Sequence, residues 1–211
     1  MTRVGLRPTA GGATIRTVIT SIPPVHAAMP PTDSSAVGRA LSLVRDFCPD
    51  PADFARFQER KPDAVPEPAR RLLDHHSHMT VAMERFHGGP VGLRIVAERP
   101  AAGGSHYARE ILLVRGEGRV VQHGIVRLDL GAVPPDTAAA IRAGRAPLGR
   151  ILIDAGLLCE VQRIGLLEVT VGPHLATLLG IPEAAVAFGR VAEIRVGGAL
   201  AVELLEIVAP D

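Results

Sequence analysis

Charge of one sign is what this chain most plainly lacks, with 23 Lys+Arg standing against 22 Asp+Glu. A protein so nearly neutral has no broad basic field with which to gather nucleic acid or anionic lipid, so neither is an expected partner. Lysine is almost missing too: Lys61 is the only one, and nearly every cation is an arginine. Beside so much Ala, Gly and Pro, this reads as codon bias and not as a phosphate-binding signature. Cysteine is scarce, and Cys48 and Cys159 have no metal-like or redox-like spacing. They fit free thiols in a reducing, cytoplasmic interior and offer no disulfide framework. No apolar stretch approaches the ~20 residues of a membrane span, so a soluble protein is expected. What is present is apolar mass: 47% of 211 residues are hydrophobic, enough for a real core in one domain with an appendage, or at most two small domains.

Residues 1–34 are rich in Thr, Ala, Pro and Gly and hold no acid before Asp33. Their Pro and Gly interrupt any sustained amphipathic helix, so a disordered or loosely docked tail is expected in preference to a targeting segment. Residues 35–70 read as a helical lead-in. "SAVGRALSLVRDFC" places Val37, Leu41, Leu43, Val44 and Phe47 near one helical face, and "DPADFARFQER" offers an Asp cap before a second short helix. Prolines at 62, 66 and 68 then break regularity.

The main domain, 71–211, opens with the helical pattern "RRLLDHHSHMTVAMERF". Strands are expected at "VGLRIVAER", "YAREILLVRG", "RVVQHGIVRLDL", "VAFGRVAEIRVGG" and "ALAVELLEIVA". "GEG" at 116–118 and "GG" at 197–198 read as hairpin turns, which imply antiparallel pairing. Between the hairpins "PPDTAAAIRAG" has Asp136 or Thr137 as its cap and Gly144 past its end, and "APLGRILIDAG" and "PHLATLLG" look like further short helices. Strands and helices are grouped and do not alternate, which predicts an α+β fold.

Several motifs invite chemistry. "GGPVG" and "GRVAEIRVGG" fail as dinucleotide-binding turns, lacking a strand before and a helix after. His75, His76 and His78 are close in "DHHSHM", but adjacent histidines of a helix diverge by about 100° and no HExxH base accompanies them, so no metal is expected. Ser105, His106 and Asp129 form a triad only by selection, without a GxSxG elbow. Arg109 is different. Strand alternation sets Tyr107, Arg109, Ile111 and Leu113 on one face, and in the last strand Val202, Leu204, Glu206 and Val208 share another. An always-charged guanidinium among apolar residues demands an anion. Either Arg109 pairs with Glu206 purely for the fold, or it grips a ligand carboxylate in a dry pocket while the glutamate handles a hydroxyl or a proton.

"LLDHHSHMT", "YAREILL", "APLGRIL" and the glutamate of "GGALAVELLEIVAP" together resemble the chorismate lyase family, which makes 4-hydroxybenzoate and pyruvate from chorismate. The resemblance runs from about Leu72 to the end. It implies an antiparallel, roughly six-stranded sheet with helices packed on it and the ligand enclosed beneath flaps. It also implies roles: Arg109 binds the ring carboxylate, Leu148 closes over the product, Met79 lines the pocket and Glu206 contacts the hydroxyl side of the ring, with Arg109 and Glu206 the catalytic pair. No cofactor or metal is implied. A second carboxylate on chorismate needs its own donor, for which Arg127, Arg190 and His123 are candidates. Two features depart from the family: Leu205 stands where threonine is frequent, and Glu203 adds an acid.

"HLATLLGIPEAAVAFGRVAEIRVGGALAVE" is in turn similar to the effector-sensing UTRA domain of GntR-type regulators, which share this fold. On that alternative the chain is a non-catalytic sensor of aromatic acids; residues 1–70 are too short and Pro-rich for the winged-helix domain such regulators carry in front. The sequence-level expectation is thus a cytoplasmic, cofactor-independent lyase, a monomer or small homo-oligomer, with the sensor as its rival and an enzyme acting on a modified substrate as a third reading.

Overall fold

The computed structural model describes residues 34–100 and 105–210; all but the last residue of the expected N-terminal tail lies outside them. The first element of the described residues is helix α1 (Ala36–Val44), whose N-terminus is capped by the Ser35 hydroxyl accepting from the Gly38 amide at 3.0 Å. Asp50 caps α2 (Pro51–Phe54), but this helix ends after a single turn. The chain passes directly into strand β1 (Ala55–Arg60), so "ARFQER" is a strand and not the helix expected of it. After α3 (Ala69–Leu73) and α4 (Met79–His87) come β2 (Gly92–Pro100), β3 (His106–Arg115) and β4 (Arg119–Asp129). Helices α5 (Pro135–Ala143) and α6 (Leu148–Asp154) lead to β5 (Cys159–Val171), and α7 (Pro173–Leu179) precedes β6 (Val186–Val196) and β7 (Ala199–Val208).

The strands form one sheet in the order β1-β5-β6-β7-β4-β3-β2, and every neighbouring pair is antiparallel. The fold is α+β, with seven strands where roughly six were expected. The additional strand is the one drawn from residues 35–70, which therefore supply an edge of the sheet as well as helices. Strand β5, second in the order, was missed in the sequence because a register shift between Arg163 and Gly165 interrupts its alternation. The two expected hairpins are present, with Gly116, Gly118, Gly197 and Gly198 all at positive φ. Helix α5 starts two or three residues earlier than its expected caps suggested: its N-cap is Pro134, and Pro135 and Asp136 lie in the first turn, where the acid complements the positive end of the helix.

Helices cover both faces of the sheet. On one, α1 and α7 pack with Phe54 of α2 over Ile125, Leu167, Val169, Val191, Leu205 and Ile207. On the other, α5 and α6 bury Ile141 and Leu152 against Val126, Ala192 and Leu204, while α3 and α4 bury Leu73, Met79 and Met83 against Ile111, Leu113 and Leu166. This double cover explains why Ile111 to Val114 run as consecutive apolar residues instead of alternating with polar ones. Leu43 is 1% exposed in the first of these clusters. Leu43→Ala is therefore expected to lower the unfolding free energy by about 2–5 kcal/mol in urea titrations. A loss below about 1 kcal/mol would mean that α1 is not part of the cooperative core.

Candidate functional site

The antiparallel register builds the floor of a cavity on the face covered by α3 to α6. Arg109 on β3 stands opposite Val126 on β4, which stands opposite Leu204 on β7. One pair further along, Ile111, Gly124, Glu206 and Arg190 form a row across four strands, and beyond it Leu113 faces Gln122. Gly124 sits in the middle of that row, where the Ile111 side chain packs onto the bare backbone and a Cβ would crowd it at 3.2 Å. The roof is made by His78, Met79 and Thr80 at the start of α4 and by Pro147, Leu148 and Gly149 at the start of α6. These two helix starts meet closely: a Cβ on Gly149 would lie 3.0 Å from both the His78 Cβ and the Thr80 hydroxyl oxygen. The cavity measures about 40 Å³, and Arg109, Met79, Leu148 and Glu206 all line it.

The charges are paired differently from what the sequence suggested. Glu206 does not meet Arg109. Strand pairing sets it opposite Arg190, whose Nε donates to Glu206 Oε2 at 2.7 Å. Arg190 is 0% exposed, and its remaining donors go to the loop before α4. Nη1 donates to the His75 carbonyl at 2.9 Å and to His75 Nδ1 at 3.1 Å, and Nη2 donates to the Ser77 carbonyl at 3.3 Å. The "DHHSH" segment is thus clamped to the sheet by a guanidinium already neutralised by Glu206.

Arg109 has no such partner. It is 1% exposed, its Nη1 donates to the Ile141 carbonyl at 3.2 Å, and its Nε lacks any hydrogen-bond partner. Among the described residues no carboxylate forms an ion pair with it. Glu98, opposite Arg109 on β2, instead accepts the Tyr107 hydroxyl. Burial pulls the Arg109 pKa below its ordinary value, opposed by Tyr107 through charge and a side-chain hydrogen bond and by the Glu98 charge. The Ile141 carbonyl it meets lies in the last turn of α5, whose dipole is negative at that end.

Of the other sequence candidates, Arg190 lines the cavity, whereas Arg127 and His123 lie on the opposite face of the sheet. Arg127 bonds Asp46 at 2.9 Å and Glu203 at 3.2 Å, which also accounts for the additional acid in β7. His123 bonds Glu110 at 2.8 Å, and His174 reaches the same carboxylate oxygen at 3.2 Å, with the Phe54 ring against both imidazoles. The three clustered histidines diverge. His75 accepts from Arg190 and Ser77, His76 contacts the Val161 carbonyl at 3.3 Å, and His78 precedes α4 at the cavity roof. Among the described residues no group of three His, Cys, Asp or Glu side chains is placed to hold a metal. Asp129 accepts from the Gly131 amide at 2.9 Å and is held below its usual pKa by Ser105, then by that amide; it caps a turn and is no triad member. The sequence reading missed Gln122 and Gly124. Strand parity was the signal, since both share the inward row of β4 with Val126.

No family model matches this chain, and no curated protein matches it. Among solved structures it is similar to PhnF from Mycobacterium smegmatis, with 16% identity and a TM-score of 0.46 over 64% of this chain and 64% of that one. It thus spans less than two thirds of that protein. It is also similar to the effector domain of PhnF, with 15% identity and a TM-score of 0.49 over 64% of this chain and 90% of that one. A third likeness is to the ligand-binding domain of a Bordetella bronchiseptica transcriptional regulator assigned to the GntR family, with 17% identity and a TM-score of 0.43 over 58% of this chain and 86% of that one. At these identities the likeness is one of fold. The neighbours are effector and ligand-binding domains and not lyases, which corrects the expectation of a chorismate lyase and, with it, of pyruvate release and aromatic acid biosynthesis. Among the described residues no helix is long and apolar enough to cross a membrane.

Two expectations follow from the charges. Burial, chiefly, lowers the pKa values of His75, His78 and His123 from 6.5, aided at His75 by the Arg190 charge and opposed at His123 by Glu110. The unfolded chain then binds more protons than the folded one below that pH, so stability is full above it and declines as pH falls. Thermal midpoints should drop between about pH 7.5 and about pH 5.5, and a flat profile would contradict the neutral buried imidazoles. The two arginines should also differ. Glu206→Gln strands a buried cation and is expected to cost about 3–5 kcal/mol, whereas Arg109→Met removes an unpaired one and should leave stability unchanged or raised in denaturant titrations.

Proposed function

We propose that this domain binds a small aromatic carboxylic acid through Arg109 and senses it without turning it over. The observation that carries the reading is Arg109 itself, a buried guanidinium that lines a cavity and forms no ion pair with a carboxylate among the described residues. Keeping such a charge dry is unfavourable unless an anion completes it, and a carboxylate fits the guanidinium fork bidentately. Around it Leu93, Ile111, Val126, Leu148 and Leu204 supply apolar surface suited to a ring.

Two features favour sensing over catalysis. Glu206, the acid nearest in kind to a catalytic base, is committed to Arg190. The cavity of about 40 Å³ is also well below the roughly 150 Å³ that houses a benzene-sized ligand, so a ring enters only if the roof moves. Binding energy spent on displacing the starts of α4 and α6 becomes a change in the domain's outer surface, which is what an effector domain needs. Met79 and Leu148 serve on this reading as roof residues that rest on the ring, and Glu206 with Arg190 holds the latch. No metal or cofactor takes part.

Calorimetric titration with benzoate and 4-hydroxybenzoate tests the proposal. Saturable binding of at least one acid is expected, with roughly 100-fold or greater loss in Arg109→Met and a preserved fold. Incubation with chorismate should release no pyruvate. Failure of both acids to bind would sink the sensor, and enzymatic release of pyruvate would overturn its non-catalytic character.

A further inference from the structure

We propose that Gln122 is the second recognition group of this cavity and that the acid admitted carries a hydroxyl or amino group remote from its carboxylate. The inference rests on Arg109 being the carboxylate anchor and extends it to the chemistry of the other end of the ligand.

Gln122 is 2% exposed, lines the cavity from β4, and its side-chain oxygen is buried without a hydrogen-bond partner. Buried amides are ordinarily satisfied, so one left open in a cavity wall marks a place where a ligand group completes the bonding. The two charged groups of the neighbouring row do not compete for the role. Glu206 is engaged by Arg190, and Arg190 spends its other donors on the carbonyls of His75 and Ser77. Among the described residues, the two fully buried side-chain atoms of the cavity lining without a partner are the Arg109 Nε donor and the Gln122 oxygen acceptor.

Their placement fixes the kind of ligand. Arg109 is level with Val126 and Gln122 is four residues earlier on the same inward row, a backbone separation of about 13 Å. Long side chains shorten that gap from both ends, but a compact acid such as acetate would reach only one of them. The position between them is Gly124, where the Ile111 side chain lies over the bare backbone, so a ligand that spans the two groups passes over Ile111 and not over a second side chain. A neutral amide also selects differently from a carboxylate. It accepts a hydrogen bond from a hydroxyl or amine and imposes no charge on the partner. An acid without such a group would leave the amide unpaired in a closed cavity, and discrimination comes from that penalty.

Titrating benzoate, 4-hydroxybenzoate, 3-hydroxybenzoate and 4-aminobenzoate into the wild type and into Gln122→Leu separates the possibilities. In the wild type at least one hydroxy or amino acid should bind roughly tenfold or more tightly than benzoate. In Gln122→Leu that preference should vanish while benzoate affinity is retained, and the thermal midpoint of the unliganded variant should be equal or higher because an unsatisfied amide has been removed. Gln122→Met, with similar length and no hydrogen-bonding amide, should behave alike and guards against a shape effect of leucine. Equal binding of benzoate and all its substituted forms by the wild type would overturn the role of Gln122 while leaving Arg109 as anchor. A preference that survives in both variants, or a lowered midpoint with parallel loss of benzoate, would also overturn it. Absence of binding by every acid is a failure of the carboxylate-anchor reading itself.

Discussion

The buried pair between Arg190 and Glu206 organises the site. By facing each other across β6 and β7 they cancel a charge that neither could keep alone in an apolar layer, and the surplus donors of Arg190 fasten the segment between α3 and α4 to the sheet. With Glu206 committed there, Arg109 is left as the uncompensated cation of the cavity. One ion pair thus decides where the roof is anchored and which guanidinium remains for a ligand.

The sheet's double cover is the second determinant. An antiparallel sheet with one wet face would have placed either Arg109 or Glu110 in water. Here both are buried, one facing the ligand cavity and the other held by two imidazoles on the far side. Burial alone would raise the Glu110 pKa, yet the bonds from His123 and His174 bring it below its usual value. Neighbouring residues of one strand therefore carry opposite charges into separate dry layers.

Much of this arrangement was readable in the residues. Hairpin glycines and grouped elements pointed to antiparallel α+β architecture, and strand parity put Arg109 and Glu206 on the faces they occupy. Partnership was not readable, because parity says which face a side chain takes and not which strand lies beside it. Arg190 meets Glu206 only because β6 pairs with β7 in a particular register, and the register of β4 on β3 likewise decides that the row of Val126, not that of Arg127 and His123, joins Arg109. Strand β1 went unseen for another reason. Its hydrogen bonds to β5 override the helical pattern of a six-residue segment rich in charge, and local propensity carries no trace of that distant partner.

The turn at Gly116 to Gly118 acquires a larger role from this layout. Because Arg109 and Glu110 are adjacent, a one-residue slip of β3 would carry the acid into the cavity and the guanidinium toward Phe54 and the imidazoles. The polarity of the ligand chamber, and hence whether anions or cations are welcome, is governed by a tight bend that touches no ligand at all.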